Sequence, residues 1–465
     1  MKKPIIVLIR QDLRLHDHPA LYHASEGGAV IPLYIHDESR EGTGEAKRWW
    51  LYRNLLQFQQ SLQSIGGTLF IDKGKLEDKL PEWIKKSGAQ AVYWNRVYEP
   101  DTFGKDKKLA EDLHAQGITV KTFEGALLLP PWTIKKEDGS PYKVYTSYYK
   151  ALRKKEIPKP VPNVTRFDGP SNLESPLSLK DLNLKPDIEW YKVMEAIWEP
   201  GEAAAIRRLK RFIGEINQYD DGRDHPAKGF HSTLSPYLAI GAISVRSVFH
   251  YVSDRVNEHT EPFIKQLIWR DFSYSVLMHF PRSMHEPIHA KFKEFQWEED
   301  SEDWDSWIKG QTGYPIVDAG MRELWATGFM HNRVRMITAS FLTKHLLIPW
   351  QKGADWFLDT LIDADLANNT MGWQWVAGSG LDSSPYFRIF NPTLQSEKFD
   401  GAGEYIRKWV PELKHLTDKY IHSPSTAPEE VMKDAGITLG EDYPAPIVDH
   451  KAARKRALER FEDIK

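Results

Sequence analysis

The 465-residue sequence contains no cysteine. Disulfides, thiolate zinc sites, iron–sulfur clusters and cysteine nucleophiles are therefore excluded, and a reducing cytoplasm is the expected location. An excess of one charge is missing too, the formal net charge being −3. Any DNA binding must come from one basic face, not from the chain as a whole. No apolar run is long enough to cross a bilayer, and "MKKPIIVLIRQDLRLHD" meets charges too early for a signal peptide. No G-x-G-x-x-G follows a strand-like run, so a conventional dinucleotide site is not expected. Repeats and low-complexity tails are also absent.

What is present is ordinary in bulk, with 41% apolar and 27% charged residues, in a chain long enough for two or three domains. The aromatics are not evenly spread. Eight of the 17 tryptophans lie between Trp297 and Trp375. Basic clusters occur at "KALRKK" (Lys150 to Lys155), "RRLKR" (Arg207 to Arg211) and "HNRVR" (His331 to Arg335). Taken singly, each reads as a solvated face.

Residues 1–125 alternate short β-branched runs ("PIIVLI", "AVIPLYI", "TLFID", "AVYWN", "TVKTF") with helical patterns such as Glu45 to Ile65. That alternation predicts a doubly wound, Rossmann-like parallel sheet of five buried strands, with ligands beyond the strand carboxyl ends. Those ends carry Arg10 to Asp12, His36 and Asp37, Asn95, Arg96 and Glu99. Residues 126–200 hold ten of the 29 prolines and read as a long connector draped over the surface. From 201 to 465 helical patterns dominate, and an all-α domain is expected.

Several stretches invite chemical readings. "HEPIH" (His285 to His289) has zincin spacing, but Pro287 is incompatible with the helix that motif needs, so a loop and no metal are expected. "DAD" (Asp363 to Asp365) permits a metal–sugar-nucleotide site of the glycosyltransferase kind, or simply an ion-paired acidic turn. "GFHSTLSPYLAIGAIS" offers hydroxyls and free backbone donors before a helix, with Ser235 as cap and Pro236 in the first turn. "IWRDF" sets Trp269 and Arg270 beside Gln266, an arrangement able to stack a base. "NNTMGWQW" (Asn368 to Trp375) packs two tryptophans, amides and a glycine into eight residues.

Together and in this order, these stretches, with "KGQTGYPIVDAGMRELWATGFMHNRVRMITASFLTK" and "IRQDLRLHDHPAL", resemble the DNA photolyase/cryptochrome family over nearly the whole chain. The likeness is to a bacterial class I cyclobutane pyrimidine dimer photolyase. It implies an N-terminal antenna domain, a linker, and a helical domain binding FAD and UV-damaged DNA. The implied activity is that of a carbon–carbon lyase, deoxyribodipyrimidine photo-lyase. Excited reduced FADH⁻ would donate an electron to a flipped-out dimer, whose ring opens before the electron returns. A folate, deazaflavin or flavin antenna is left open, as is its absence. A monomer with no membrane association, nucleoid-bound when on DNA, is expected.

The resemblance also implies residue roles. Tyr219, Ser232, Thr233, Leu234, Ser235 and Arg270 would hold the FAD phosphates and ribityl chain. Asp363, Asp365, Asn332 and Arg335 would line the flavin site, with Asp363 paired to Arg335 and Asn369 beside flavin N5. Trp373, Trp350 and Trp297 match the electron-carrying tryptophans. Arg223, Gln266, Trp269, Asn332, Arg333, Met336 and Trp375 match lesion contacts, with Gln395 nearer the DNA backbone. Trp373 and Trp375, two residues apart on a helix, would point roughly 200° from one another.

Asn369, "HNRVRM" and the lack of a long C-terminal extension favour cyclobutane repair over a (6-4) photolyase or a blue-light cryptochrome. Gln266 stands where cyclobutane enzymes commonly have Glu, and His231 and Thr233 depart from the usual Thr and Arg. Gln266 is read as a tuned lesion contact, because an amide still donates and accepts toward a thymine edge.

Overall fold

The structure, a computed structural model, describes residues 3–40, 44–166, 168–170, 172–255, 259–299 and 302–465. It divides into two compact units. The first comprises Met1–Asn217, Ser232–Pro281 and Ile362–Ala367; the second comprises Gln218–His231, Arg282–Leu361 and Asn368–Lys465. Segments beyond residue 201 thus contribute to both.

In the first unit, β1 (Ile5–Leu8), β2 (Val30–His36), β3 (Phe70–Lys73), β4 (Ala91–Asn95) and β5 (Thr119–Phe123) form one parallel sheet in the order β3-β2-β1-β4-β5. β1 is central, so the strand order reverses between β1 and β4, where a crevice opens at the carboxyl ends. Ile6, Leu8, Ile31, Leu33, Val92 and Trp94 pack with Leu80, Trp83 and Leu109 of the flanking helices into one apolar layer. Four strands are buried as their β-branched runs require. β5 departs from the expected buried strand, because it is an edge strand whose residues are exposed or half-buried.

The connector is not loose. Asp271 accepts from the Leu128 and Leu129 amides (3.0 and 3.2 Å), and the Arg246 Nε donates to the Leu128 carbonyl. The Tyr145–Leu152 helix buries Tyr145, Tyr148 and Leu152. Gly241, at φ +64°, lets the backbone pass the Gln11 carbonyl, which a Cβ would approach to 2.0 Å.

The second unit is helical, chiefly Pro315–Thr327, Asn332–Ser340, Trp350–Thr360, Pro392–Phe399 and His450–Glu462. Residues 368–377 of the Leu366–Ala377 helix belong to it as well. Helix dominates here, as expected for residues 201–465. Phe341–His345 widens into a π-helical turn, with Lys344 wholly buried. Gly320 permits close helix packing, since a Cβ there would lie 2.4 Å from Val334. No described helix is long and apolar enough to cross a membrane.

Candidate functional site

The first unit gathers the acidic and hydroxyl residues. The loop from Ser232 turns sharply at Thr233, a non-glycine residue with φ 50°, into the short helix Ser235–Ala239. The Thr233 hydroxyl accepts from Arg208 Nη1 at 2.9 Å, while Leu234 is buried. Ser235 does not cap this helix as expected. It occupies the first helical position, Leu234 is the cap residue, and the Ser235 hydroxyl donates to Asp363 Oδ2 at 2.6 Å. A charged acceptor is the stronger partner, so the hydroxyl turns from the backbone to the carboxylate. Two residues on, Asp365 accepts from the Tyr274 hydroxyl at 2.6 Å, and burial with that carboxylate pushes the phenol well above its ordinary range. Tyr274 is therefore a fixed donor.

Arg270 lies over the Tyr274 ring (5.0 Å) and donates to the Ala126 carbonyl at 2.6 Å, leaving further N–H groups available. Gln266 and Trp269, on the same Glu261–His279 helix, are half-buried. One face of Trp269 is covered by Tyr145, stacked at 3.7 Å and 7°. At the strand ends, Arg10 and Arg40 grip Asp106 from two sides, each at 2.6 Å. Arg40 also pairs with Glu77, and Asn95 donates to Asp12 at 2.9 Å. The cavity beside them is lined by Tyr34, Lys47, Leu51, Glu99 and Thr102 and measures about 80 Å³. Burial raises the Glu99 carboxyl against the pull of Lys47.

The second unit gathers the aromatic and amide residues. Asn332 and Met336 adjoin on one helix face, Nδ2 to Sδ 3.9 Å. Arg333 pairs with Asp224 at 2.9 Å and lies over Phe399. Arg335 Nε donates to the Met330 carbonyl. Tyr219 is buried beneath Arg223, and desolvation pushes its hydroxyl up to about 12. His331 caps the Asn332 helix by accepting the Arg333 amide at Nδ1, and burial holds its imidazole down near 3, so it stays neutral. Gln395 is half-buried beside exposed Leu394.

On the Leu366–Ala377 helix, Asn369 Nδ2 donates to the Ala354 carbonyl at 3.0 Å. Trp373 is buried so closely against Gly353 that a Cβ there would come within 2.1 Å of the indole. Both residues thereby dock on the helix that Trp350 begins, and Trp350 itself is buried. Trp297 is half-buried against Phe295 at 4.5 Å. Between Asn369 and Trp373 lies Gly372, which is exposed, and a Cβ on it would meet nothing within 4 Å. A glycine facing open space on an otherwise packed helix leaves a flat seat for a planar group. Within the first unit, the Ser235–Asp363 hydroxyl–carboxylate pair and the fixed Tyr274 phenol are donors and acceptors of the kind a flavin nucleotide uses.

Sequence reasoning missed several residues. Tyr145 carried no signal, since nothing in its segment names Trp269. Tyr274 was findable as the residue one turn beyond Arg270. Gln374, inside the quoted octet, is buried and clamps the "HEPIH" loop, donating to the Ser283 and Glu286 carbonyls at 2.7 and 2.8 Å. Trp307 meets Trp373 edge-on at 6.3 Å, and a run of rings continues through Trp304 and Trp356 to exposed Trp325. "HEPIH" itself is a loop, and no metal cluster occurs among the described residues.

Residues 5–165 match the family model of DNA photolyase, and residues 263–463 match the FAD binding domain of DNA photolyase. The deoxyribodipyrimidine photo-lyase of Agrobacterium fabrum is 46% identical, over 99% of this chain and 98% of that protein. This chain belongs to the DNA photolyase/cryptochrome family. Among solved structures, a bacterial class III photolyase from Agrobacterium tumefaciens superimposes with a TM-score of 0.97 at 46% identity, covering 100% of this chain and 98% of that one. Arabidopsis thaliana Cryptochrome-1 is 37% identical, over 99% of this chain and 70% of that protein. That solved relative is a class III photolyase, so the class I likeness expected from the sequence is not confirmed.

Proposed function

We propose that this photolyase repairs cyclobutane pyrimidine dimers in DNA with light, and that it is of class III. The observation that carries the reading is the Leu366–Ala377 helix, with Asn369, the open Gly372 face and buried Trp373 in succession. Whole-chain identity of 46% to a named photo-lyase and to a class III structure supports the choice of activity and class.

Bound and reduced FAD supplies the photo-excited electron that opens the cyclobutane ring. The chain's residues do the rest. Ser232, Thr233, Leu234, Ser235, Tyr219 and Arg270 hold the phosphates and ribityl chain. Asp363, Asp365, Asn332, Arg335 and Asn369 line the isoalloxazine. Asp363 and Asp365 come already oriented by Ser235 and Tyr274, so binding costs little reordering. Trp373, Trp350 and Trp297 carry an electron inward to restore the reduced state.

Arg223, Gln266, Trp269, Asn332, Arg333, Met336 and Trp375 receive the flipped dimer, whose broken pairing lowers the cost of extrusion. Gln395 lies nearer the backbone, and phosphate contacts make binding weaken with salt. The antenna domain is residues 1–125, followed by the linker to 200 and the FAD- and DNA-binding region to 465. An antenna pigment, if carried, sits at the strand ends. The protein acts as a monomer in the cytoplasm, on the nucleoid when bound to DNA.

Identity to Cryptochrome-1 favours a second reading, a blue-light receptor without repair activity. Incubating the flavin-loaded protein with a dimer-containing oligonucleotide separates the two. Restoration under blue light but not in the dark is expected, whereas a loaded protein that leaves the dimer intact in both conditions is a receptor.

A further inference from the structure

Trp269 is braced in a way that its own helix does not provide. Tyr145, from the helix Tyr145–Leu152, lies flat on the indole with centroids 3.7 Å apart and planes 7° from parallel. The Tyr145 hydroxyl donates to the Lys265 carbonyl at 2.8 Å, one turn before Trp269, so the ring is tied to that helix at two points. Phe272 closes the third side, edge-on to Trp269 at 5.7 Å and to Tyr145 at 6.0 Å. Tyr145 is 8% exposed while Trp269 remains half-buried, so the indole surface left open is not the face Tyr145 covers.

We propose that Tyr145 is a positioning residue for lesion discrimination: it fixes the plane of Trp269 and leaves a single ring face for the dimer. This rests on reading Trp269 as a lesion wall. An unbraced indole samples several rotamers and must be ordered each time a base stacks on it; a braced one is ordered beforehand. Only ligands that stack benefit. Undamaged duplex, held mainly through its phosphates, does not use that face.

The test uses the FAD-loaded protein, with dark binding to dimer-containing and undamaged oligonucleotides of one sequence, followed by single-turnover repair of the bound complex. Tyr145→Leu should weaken dimer binding about fivefold, the scale of one aromatic stacking contact. Undamaged binding, FAD content and the repair rate of bound dimer should not change. Tyr145→Phe, which keeps the ring, should stay within about twofold of the parent. Tyr145→Met serves if the Leu variant does not fold. Equal loss on damaged and undamaged DNA, or unchanged dimer affinity in Tyr145→Leu while Trp269→Leu is impaired, overturns the proposal alone. Unchanged dimer affinity in Trp269→Leu overturns it together with the reading on which it rests.

Discussion

The acidic region of the first unit and the aromatic region of the second are organised by different forces. Around Asp363 and Asp365 every oriented group is held by a short hydrogen bond to a charged oxygen, from Ser235 and from Tyr274. Around Trp373 the groups are held by shape, with Gly353, Phe357 and Trp307 pressed on the indole and an open glycine on the helix's free side. A hydrogen-bonded site tolerates changes of volume but not of charge. A packed ring site tolerates changes of polarity at its edge but not of ring size. The two regions should therefore fail in different ways.

The largest effect is expected in the aromatic region. Trp373→Phe should slow photoreduction of the bound flavin by at least an order of magnitude, while enzyme reduced chemically beforehand still repairs dimers; flash photolysis reads the first and a repair assay the second. Trp307→Phe should slow it less, because its ring is a neighbour and not the entry point; equal slowing in both variants would erase that distinction. In the acidic region, Asp363→Ala removes the carboxylate proposed to line the isoalloxazine and releases the Ser235 hydroxyl it orients. Loss of one hydrogen bond with a charged partner, roughly 1.5–3 kcal/mol, should lower FAD retention on gel filtration about ten- to a hundredfold with far-UV circular dichroism unchanged.

Gly372→Ala sharpens the contrast. The apoprotein should gain about 0.5–1 kcal/mol, since a helical glycine is replaced, while flavin loading falls. If loading is undiminished, the flat seat is not where the flavin lies. The effects on pH dependence carry opposite signs in the two units. Burial pushes Asp271 of the first unit up to about 7, so between its ordinary 3.8 and 7 the folded chain binds the extra proton and stability falls as pH rises. Burial pushes Lys344 of the second unit down to about 7, so between 7 and 10.5 the unfolded chain binds the extra proton and stability rises with pH. Chemical denaturation across pH should show Asp271→Asn flattening the lower window and Lys344→Met the upper.

Much of this was legible in the sequence, for physical reasons. β-branched runs buried on both faces gave four strands their positions, and the 3.6-residue periodicity gave the long helices theirs. β5 was misjudged because an edge strand is β-branched without being covered. Residue types whose chemistry is local, such as the amides and indoles of "NNTMGWQW", could be singled out. Their partners could not. Ser235 looked like a cap because the pattern of serine before proline says nothing about a carboxylate far along the chain, at Asp363. Tyr145 was silent for the same reason, since stacking on Trp269 depends on how two distant helices pack. Class within the family was not legible in short motifs, and the class I likeness is not confirmed by the solved relative, which is of class III.

The central claim is cyclobutane repair, and side-by-side illumination tests it most directly. Matched oligonucleotides carrying either a cyclobutane dimer or a (6-4) product are given to the reduced, FAD-loaded protein under blue light and in the dark. The account predicts light-dependent restoration of the cyclobutane substrate alone, retained in Gln266→Glu. Restoration of the (6-4) product alone, or of neither with flavin bound, would contradict it.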